Sequence, residues 1–259
     1  MRLTTLGDLL LDVIVRLDQP LVLGDDQTAV TRIGAGGQAA NVAAWAASLG
    51  AAARFVGRRG DDPASEILTR TLISHGVDVV GPAGGRTGVV VSIASAGDRT
   101  MASDRGVSPE LESRDLDSAW FDCDVLHLSG YSLLRDPIAD ASVSAASLAR
   151  GHGAQIALDI STWTLVDDRF RERVRAIAPD VVFATEAERD VVGPLDTRWV
   201  VKRGARGLDV DGRSYASVAT DVVDTTGAGD ALAAGYLIGG AELGLEAAAR
   251  CCARLGAMP

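Results

Sequence analysis

The sequence predicts a single α/β domain over residues 1–259, with a mostly parallel central sheet covered by helices on both faces and a small second β-sheet beside it. Three observations lead there. Short apolar runs rich in β-branched residues alternate with helical patterns, the rhythm of a parallel sheet joined by crossover helices. Two regions break that rhythm with interleaved polar and apolar residues, as strands with one wet face do. The chain's 259 residues, 47% hydrophobic and 23% charged, are enough to bury one sizeable core.

In chain order, "DVIVRLD" with "TAVTRIG", and later "TGVVVSIASAGDRTMAS", read as antiparallel strands of a projecting lid over about residues 10–34 and 86–105. The alternative is that they form edges of the main sheet. "GAGGQAANVAAWAASLG" passes from a strand into a helix, and Gly50 closes that helix as a C-cap. "ARFVG", "DVLHLS", "QIALDIS", "VVFA" and "RWVVKRG" read as buried strands. Between them, "DPASEILTRTLISHG", "PIADASVSAASLARGHG" and "DDRFRERVRAIA" read as helices with suitable starts and stops. "DALAAGYLIG" is a helix of small residues that can lie close under the sheet.

Composition excludes several functions. The net charge is 25 − 35 = −10, which argues against nucleic acid or an anionic membrane as partner. No stretch reaches the ~18 apolar residues of a membrane span, and Asp8 and Asp12 interrupt the N-terminal apolar run that a signal peptide needs. Cys123, Cys251 and Cys252 are few and unpatterned, as in a reduced, cytoplasmic protein. His75, His127 and His152 lack any metal-ligand spacing.

Two glycine clusters carry the chemistry. Gly34-x-Gly36-x-x-Ala39 nominally fits a dinucleotide-binding turn, with Gly57-Arg58-Arg59 after the next strand. That reading leaves the second cluster unexplained and does not need the polar Asn41, whose amide both donates and accepts and so suits a polyol. The second cluster is "DTTGAGD", Asp224 to Asp230. Gly227 and Gly229 lack Cβ atoms, so successive N–H groups can converge on an oxyanion at a helix N-terminus. Alone, Asp230 would merely complement the helix dipole. The flanking glycines, and a second cluster near the other end of the chain, favour a functional acid.

Together the clusters resemble the paired signatures of the ribokinase-like (PfkB) carbohydrate kinases, and the order of elements matches over nearly the whole chain. The resemblance implies a ribokinase-like three-layer α/β/α fold with a β-sheet lid, and ATP-dependent phosphorylation of a sugar hydroxymethyl group. "GDLLLD" resembles the family's first strand, whose terminal acid, here Asp12, holds sugar hydroxyls. "GGQAAN" places Gly36, Gly37 and Asn41 in the sugar site, and Arg105 on the lid is placed to meet a carboxylate or hydroxyls. "DTTGAGD" implies an anion hole at Gly227, Ala228 and Gly229, with Asp230 as a general base that stays ionised at the helix start.

On the nucleotide side the resemblance implies roles for Thr185, Lys202, Gly204 and Gly207, with Glu188 organising magnesium. Thr185 stands where the family usually has Asn, so altered metal handling is expected. Asp224 and Thr226 resemble ligands of a monovalent cation such as potassium. The family's adenine wall and further cation ligands follow the last helix, where this chain ends at Pro259, so altered nucleotide affinity and cation response are expected. ATP, a small sugar and a second copy of the chain, paired through the lid, are the implied partners.

Overall fold

A computed structural model describes residues 1–95 and 98–259; the part of the predicted lid that falls on Ala96 and Gly97 lies outside the described residues. The elements run β1 (Arg2–Leu6), β2 (Leu10–Leu17), β3 (Ala29–Gly36), α1 (Gln38–Ser48), β4 (Ala52–Val56), α2 (Pro63–Ser74), β5 (Asp78–Val80), β6 (Thr87–Ser95) and β7 (Asp98–Gly106). They continue with β8 (Val125–Ser129), α3 (Ile138–Gly151), β9 (Gln155–Asp159), α4 (Asp168–Ile177), β10 (Val181–Thr185), α5 (Glu186–Val192), β11 (Arg198–Lys202), β12 (Leu208–Val210), β13 (Arg213–Tyr215) and α6 (Ala228–Cys252).

The main sheet has nine strands in the order β13-β12-β11-β10-β9-β8-β1-β4-β5. Every pair from β11 to β5 is parallel, and only the β11–β12 and β12–β13 pairs, at one edge, are antiparallel. Strand residues alternate between two apolar layers, as a period of two requires. On β10, Val181 and Phe183 join the layer of α1, α2 and α6, while Val182 and Ala184 join that of α3 and α4. Helix α1 is buried from Ala39 through Trp45 to Ala46, because its small residues allow close approach to α6. His127 on β8 is wholly buried, and burial lowers its pKa to about 4, so it is a neutral core residue.

A second, four-stranded sheet has the order β3-β2-β6-β7. It is separate from the main sheet, which decides against edge strands. Its two hairpins, β2–β3 and β6–β7, are antiparallel as expected, but they join through a parallel β2–β6 pair with Leu10 opposite Gly88 and Asp12 opposite Val90. The hairpins are separated in sequence by α1, β4, α2 and β5, so their relative direction is set by where each enters the lid, which strand alternation does not encode.

The first strand is also corrected. It is Arg2–Leu6, not "GDLLLD": the chain turns at Gly7 and Asp8, and Asp12 belongs to lid strand β2. A Cβ at Gly7 would lie 2.8 Å from that of Ala39, so glycine is needed where the chain crosses α1. The short strands β5, β12 and β13 were not predicted; at three residues each they carry too little pattern.

Candidate active site

The first glycine cluster builds one wall of a cavity. A Cβ at Gly36 would lie 2.1 Å from Asp12 Cγ, so the missing side chain is the space that the Asp12 carboxylate fills. Gly37 has φ +100°, and a Cβ there would lie 2.2 Å from the Asp8 carbonyl oxygen. Gly37 therefore requires glycine, while Gly36 leaves the room that the Asp12 side chain uses. They start α1 so that Gln38 and Asn41, in its first turn, line the cavity.

The second cluster builds the facing wall. Asp224 Oδ1 accepts the Thr226 N–H at 2.9 Å and hydroxyl at 2.7 Å, while Oδ2 accepts the Gly256 N–H at 3.0 Å. The Cys251 thiol donates to the Thr226 carbonyl at 3.2 Å. Gly227 has φ +77°, and a Cβ on it would lie 2.6 Å from Ala257, so the segment after α6 packs directly on this turn. Trp45 Nε1 anchors that segment by donating to the Ala257 carbonyl at 2.8 Å. The Ala228 N–H donates to the Thr225 carbonyl at 3.3 Å. Gly229 and Asp230 follow at the start of α6, where N–H groups lack intrahelical acceptors and the dipole favours an anion.

Asp230 sits where the walls meet. Asn41 Nδ2 donates to its Oδ2 at 2.8 Å, and the Gln38 amide, in the same lining, also lowers its proton affinity. Burial dominates its proton affinity and the Asp159 charge adds to it; the two amides and Lys202 oppose them, and the result is a pKa pushed from 3.8 up to about 7. Burial thus works against the ionised form that the helix start favours.

The cavity is about 280 Å³, the small end of the ligand-site range. It brings together Asp12, Gly37, Asn41, Arg105, Lys202, Thr226, Gly227 and Asp230, all singled out from sequence. It adds Asp8, Gln38, Tyr131 and Ser161, which the sequence reading missed. Arg105 forms a two-point ion pair with Asp8, Nε to Oδ2 at 2.6 Å and a terminal nitrogen to Oδ1 at 2.8 Å, joining the lid to the turn after β1. Asn41 Oδ1 is buried and has no hydrogen-bond partner among the described residues, a polar atom left for a ligand donor.

Lys202 is not a solvated strand end. Its Nζ bonds both oxygens of Asp159, at 2.9 and 2.7 Å, and would lie 3.8 Å from a Cβ on Gly229. Arg203 points away into surface pairs with Glu186 and Asp209. Thr185 and Glu188 cap α5 reciprocally: the Thr185 hydroxyl accepts the Glu188 N–H at 3.3 Å and Glu188 Oε2 accepts the Thr185 N–H at 2.7 Å. The negative charges of Glu188 and Asp159 raise the Lys202 pKa against its burial, which places Glu188 within electrostatic reach of that lysine. Gly207 is required by packing, since a Cβ would lie 1.9 Å from the Tyr215 carbonyl oxygen, whereas Gly204, with φ +57°, faces open space. Thr185, Glu188, Gly204 and Gly207 lie outside the cavity lining.

The pattern of the pfkB family carbohydrate kinases matches residues 2–258. The chain belongs to that family. A fructokinase from Escherichia coli is 30% identical over 82% of this chain and 78% of its own. An ATP-dependent ribose-1-phosphate kinase from Halopiger xanaduensis is 32% identical over 96% of this chain and 90% of its own. The crystal structure of adenosine kinase from Sinorhizobium meliloti aligns with TM-score 0.87 at 27% identity, covering 100% of this chain and 95% of that one. This pfkB kinase therefore has the ribokinase-like α/β fold, and it is a sugar kinase of that family. Among the described residues, no helix is long and apolar enough to cross a membrane.

Proposed function

We propose that this pfkB kinase transfers the γ-phosphoryl group of ATP to a hydroxymethyl group of a small sugar or sugar acid, with Asp230 as general base. The observation that carries the reading is Asp230 itself: a carboxylate with a pKa near 7, at a helix N-terminus, in a cavity shared with Asp12, Asn41 and Arg105. The hydroxyl proton passes to Asp230 as the sugar oxygen bonds the γ-phosphorus, and the bond to the β-phosphate oxygen breaks to release ADP. The N–H groups at Gly229 and Asp230 face the developing charge, with Gly227 and Ala228 shaping the turn. Asp12 and the unpartnered Asn41 Oδ1 accept sugar hydroxyls.

Magnesium suits the Glu188 carboxylate, which through water would organise the ion that neutralises the phosphates; Thr185, Gly204 and Gly207 border the nucleotide. Asp224 and Thr226 supply a carboxylate and a carbonyl, hard oxygen donors that would hold potassium and lend positive field to the start of α6. Free Cys123, Cys251 and Cys252 suit a reducing, cytoplasmic setting. Exposed Val30, Ile33 and Met101 on the lid support pairing of two copies through that sheet, which light scattering tests.

Tyr131 in the cavity lining favours a second reading, a nucleoside substrate stacked on its ring. The small cavity and a lid with no aromatic residue favour the sugar. Phosphoryl transfer from magnesium ATP to a panel of sugars, sugar acids and nucleosides tests both. A sugar or sugar acid is the expected best acceptor. Adenosine exceeding every sugar would overturn the reading.

A further inference from the structure

We infer that Gln38 is a positioning residue for the reaction: two serines lock its amide so that its NH₂ is aimed at Asp230, holding the base in place and in its ionised form. The inference rests on Asp230 as base, and its geometry is set by three elements outside α6. Gln38 Oε1 accepts the Ser129 hydroxyl, at the end of β8, at 2.6 Å, and the Ser161 hydroxyl, just after β9, at 2.5 Å. With Oε1 taken by the two serines, the NH₂ is the end of Gln38 left for Asp230, which lines the same cavity.

Ser161 is itself held for this purpose. Its φ is +68°, uncommon for a residue with a Cβ. Its N–H donates to Asp159 Oδ1 at 3.0 Å, and its hydroxyl oxygen accepts the Gly130 N–H at 3.1 Å. The hydroxyl hydrogen then has two acceptors in reach, Gln38 Oε1 at 2.5 Å and the Asp159 carbonyl at 3.0 Å, and Gln38 is the nearer. Strain of this kind, fixed by several bonds at the floor of a cavity, marks a site where the geometry matters. The titratable and charged groups facing Asp230 are Asp159 on β9, Lys202 on β11, Tyr131 after β8 and Cys251 on α6. Asn41 donates to the carboxylate at 2.8 Å, and Gln38 lines the same cavity and holds its proton affinity down.

Gln38→Glu tests the inference, because it keeps the shape and the serine bonds while replacing the donor with a second carboxylate. The pH profile of kcat/KM, the kcat and KM values and sugar affinity by calorimetry are measured on this variant, on Ser129→Ala/Ser161→Ala, and on Asp230→Asn. The acid limb of the wild-type profile should move up by about one pH unit or more in Gln38→Glu. If its midpoint starts near 7 and moves by one unit, the loss at pH 7 is about five-fold and shrinks above pH 9. The double serine variant keeps Gln38 but releases its amide, and should show a smaller shift in the same direction. It also preserves the test should Gln38→Glu not fold. A limb that stays put while only KM rises would make Gln38 a sugar contact and overturn the inference. An Asp230→Asn variant that stays active would instead remove the base on which the inference rests.

Discussion

Replacing Asp230 with Asn should make the protein inactive and, above neutral pH, more stable. The reasoning starts from the buried carboxylate, whose pKa rises from 3.8 to about 7 mainly through desolvation. A raised carboxylate pKa means that the folded protein holds a proton the unfolded chain has released between those pH values. Stability therefore falls as pH rises from about 4 to about 7, and the full cost is present above 7. A shift of roughly three units corresponds to about 4 kcal/mol at 1.36 kcal/mol per unit. Asn carries no ionisation cost, but its own NH₂ faces the donors of Asn41 and Gln38, and one mispaired group returns about 1–3 kcal/mol. The net gain is about 2 kcal/mol above pH 7, or roughly 4–8 °C in Tm, and it should shrink towards pH 4. Turnover should fall by roughly 10²–10⁴-fold, the contribution of a general base. Thermal unfolding of both proteins at pH 5 and pH 8, with steady-state kinetics, measures the two effects. Wild-type turnover would remove Asp230 as the base, and a stability difference independent of pH would refute its desolvation.

Other substitutions probe the walls. Gly36→Ala puts a methyl carbon where the Asp12 carboxylate now lies, and that flexible side chain can swing aside; KM for the sugar should rise at least about ten-fold with a stability loss of about 1–3 kcal/mol, and an unchanged KM would remove Asp12 from the sugar site. Lys202→Met strands the buried Asp159 carboxylate and should cost about 3–5 kcal/mol in urea unfolding; adding Asp159→Asn should restore most of that stability without restoring turnover. Potassium should raise the rate over tetramethylammonium at equal ionic strength, because Asp224 and Thr226 adjoin the start of α6. Equal rates in both salts would show that the protein donors already on those oxygens complete the site.

The parallel sheet and its helices were legible because their residues repeat with the right period: "VVFA" and "RWVVKRG" became β10 and β11 within a residue or two. The glycine clusters were legible for a different reason. Gly37 and Gly227 are demanded by positive φ and by the approach of the Asp8 carbonyl and of Ala257, Gly36 gives Asp12 its space, and such constraints leave a mark at single positions. Partners contributed by distant strands leave no such mark. Asp159 was visible inside the predicted strand "QIALDIS", but nothing local says that Lys202, 43 positions later, will meet it. Asp8 and Arg105 are 97 positions apart, and their pairing depends on the parallel β2–β6 join that alternation could not reveal.

The same distinction explains how the cavity sets the proton affinity of Asp230. Position comes from local signals: α6 starts at Ala228 because Gly227 permits φ +77°, and this puts Asp230 in the first turn. Proton affinity comes from non-local ones: Asn41 and Gln38 from α1, Asp159 from β9 and Lys202 from β11. The dipole of α6 alone would favour an ionised acid with little affinity for a proton. Burial against the Asp159 charge reverses that, and two amides and a lysine stop the rise near 7, where a base can both take a proton from a hydroxyl and release it to water. A family motif can therefore be kept intact while its reactivity is reset by residues outside it, and in this kinase Gln38 is the position where that adjustment is most directly exposed to substitution.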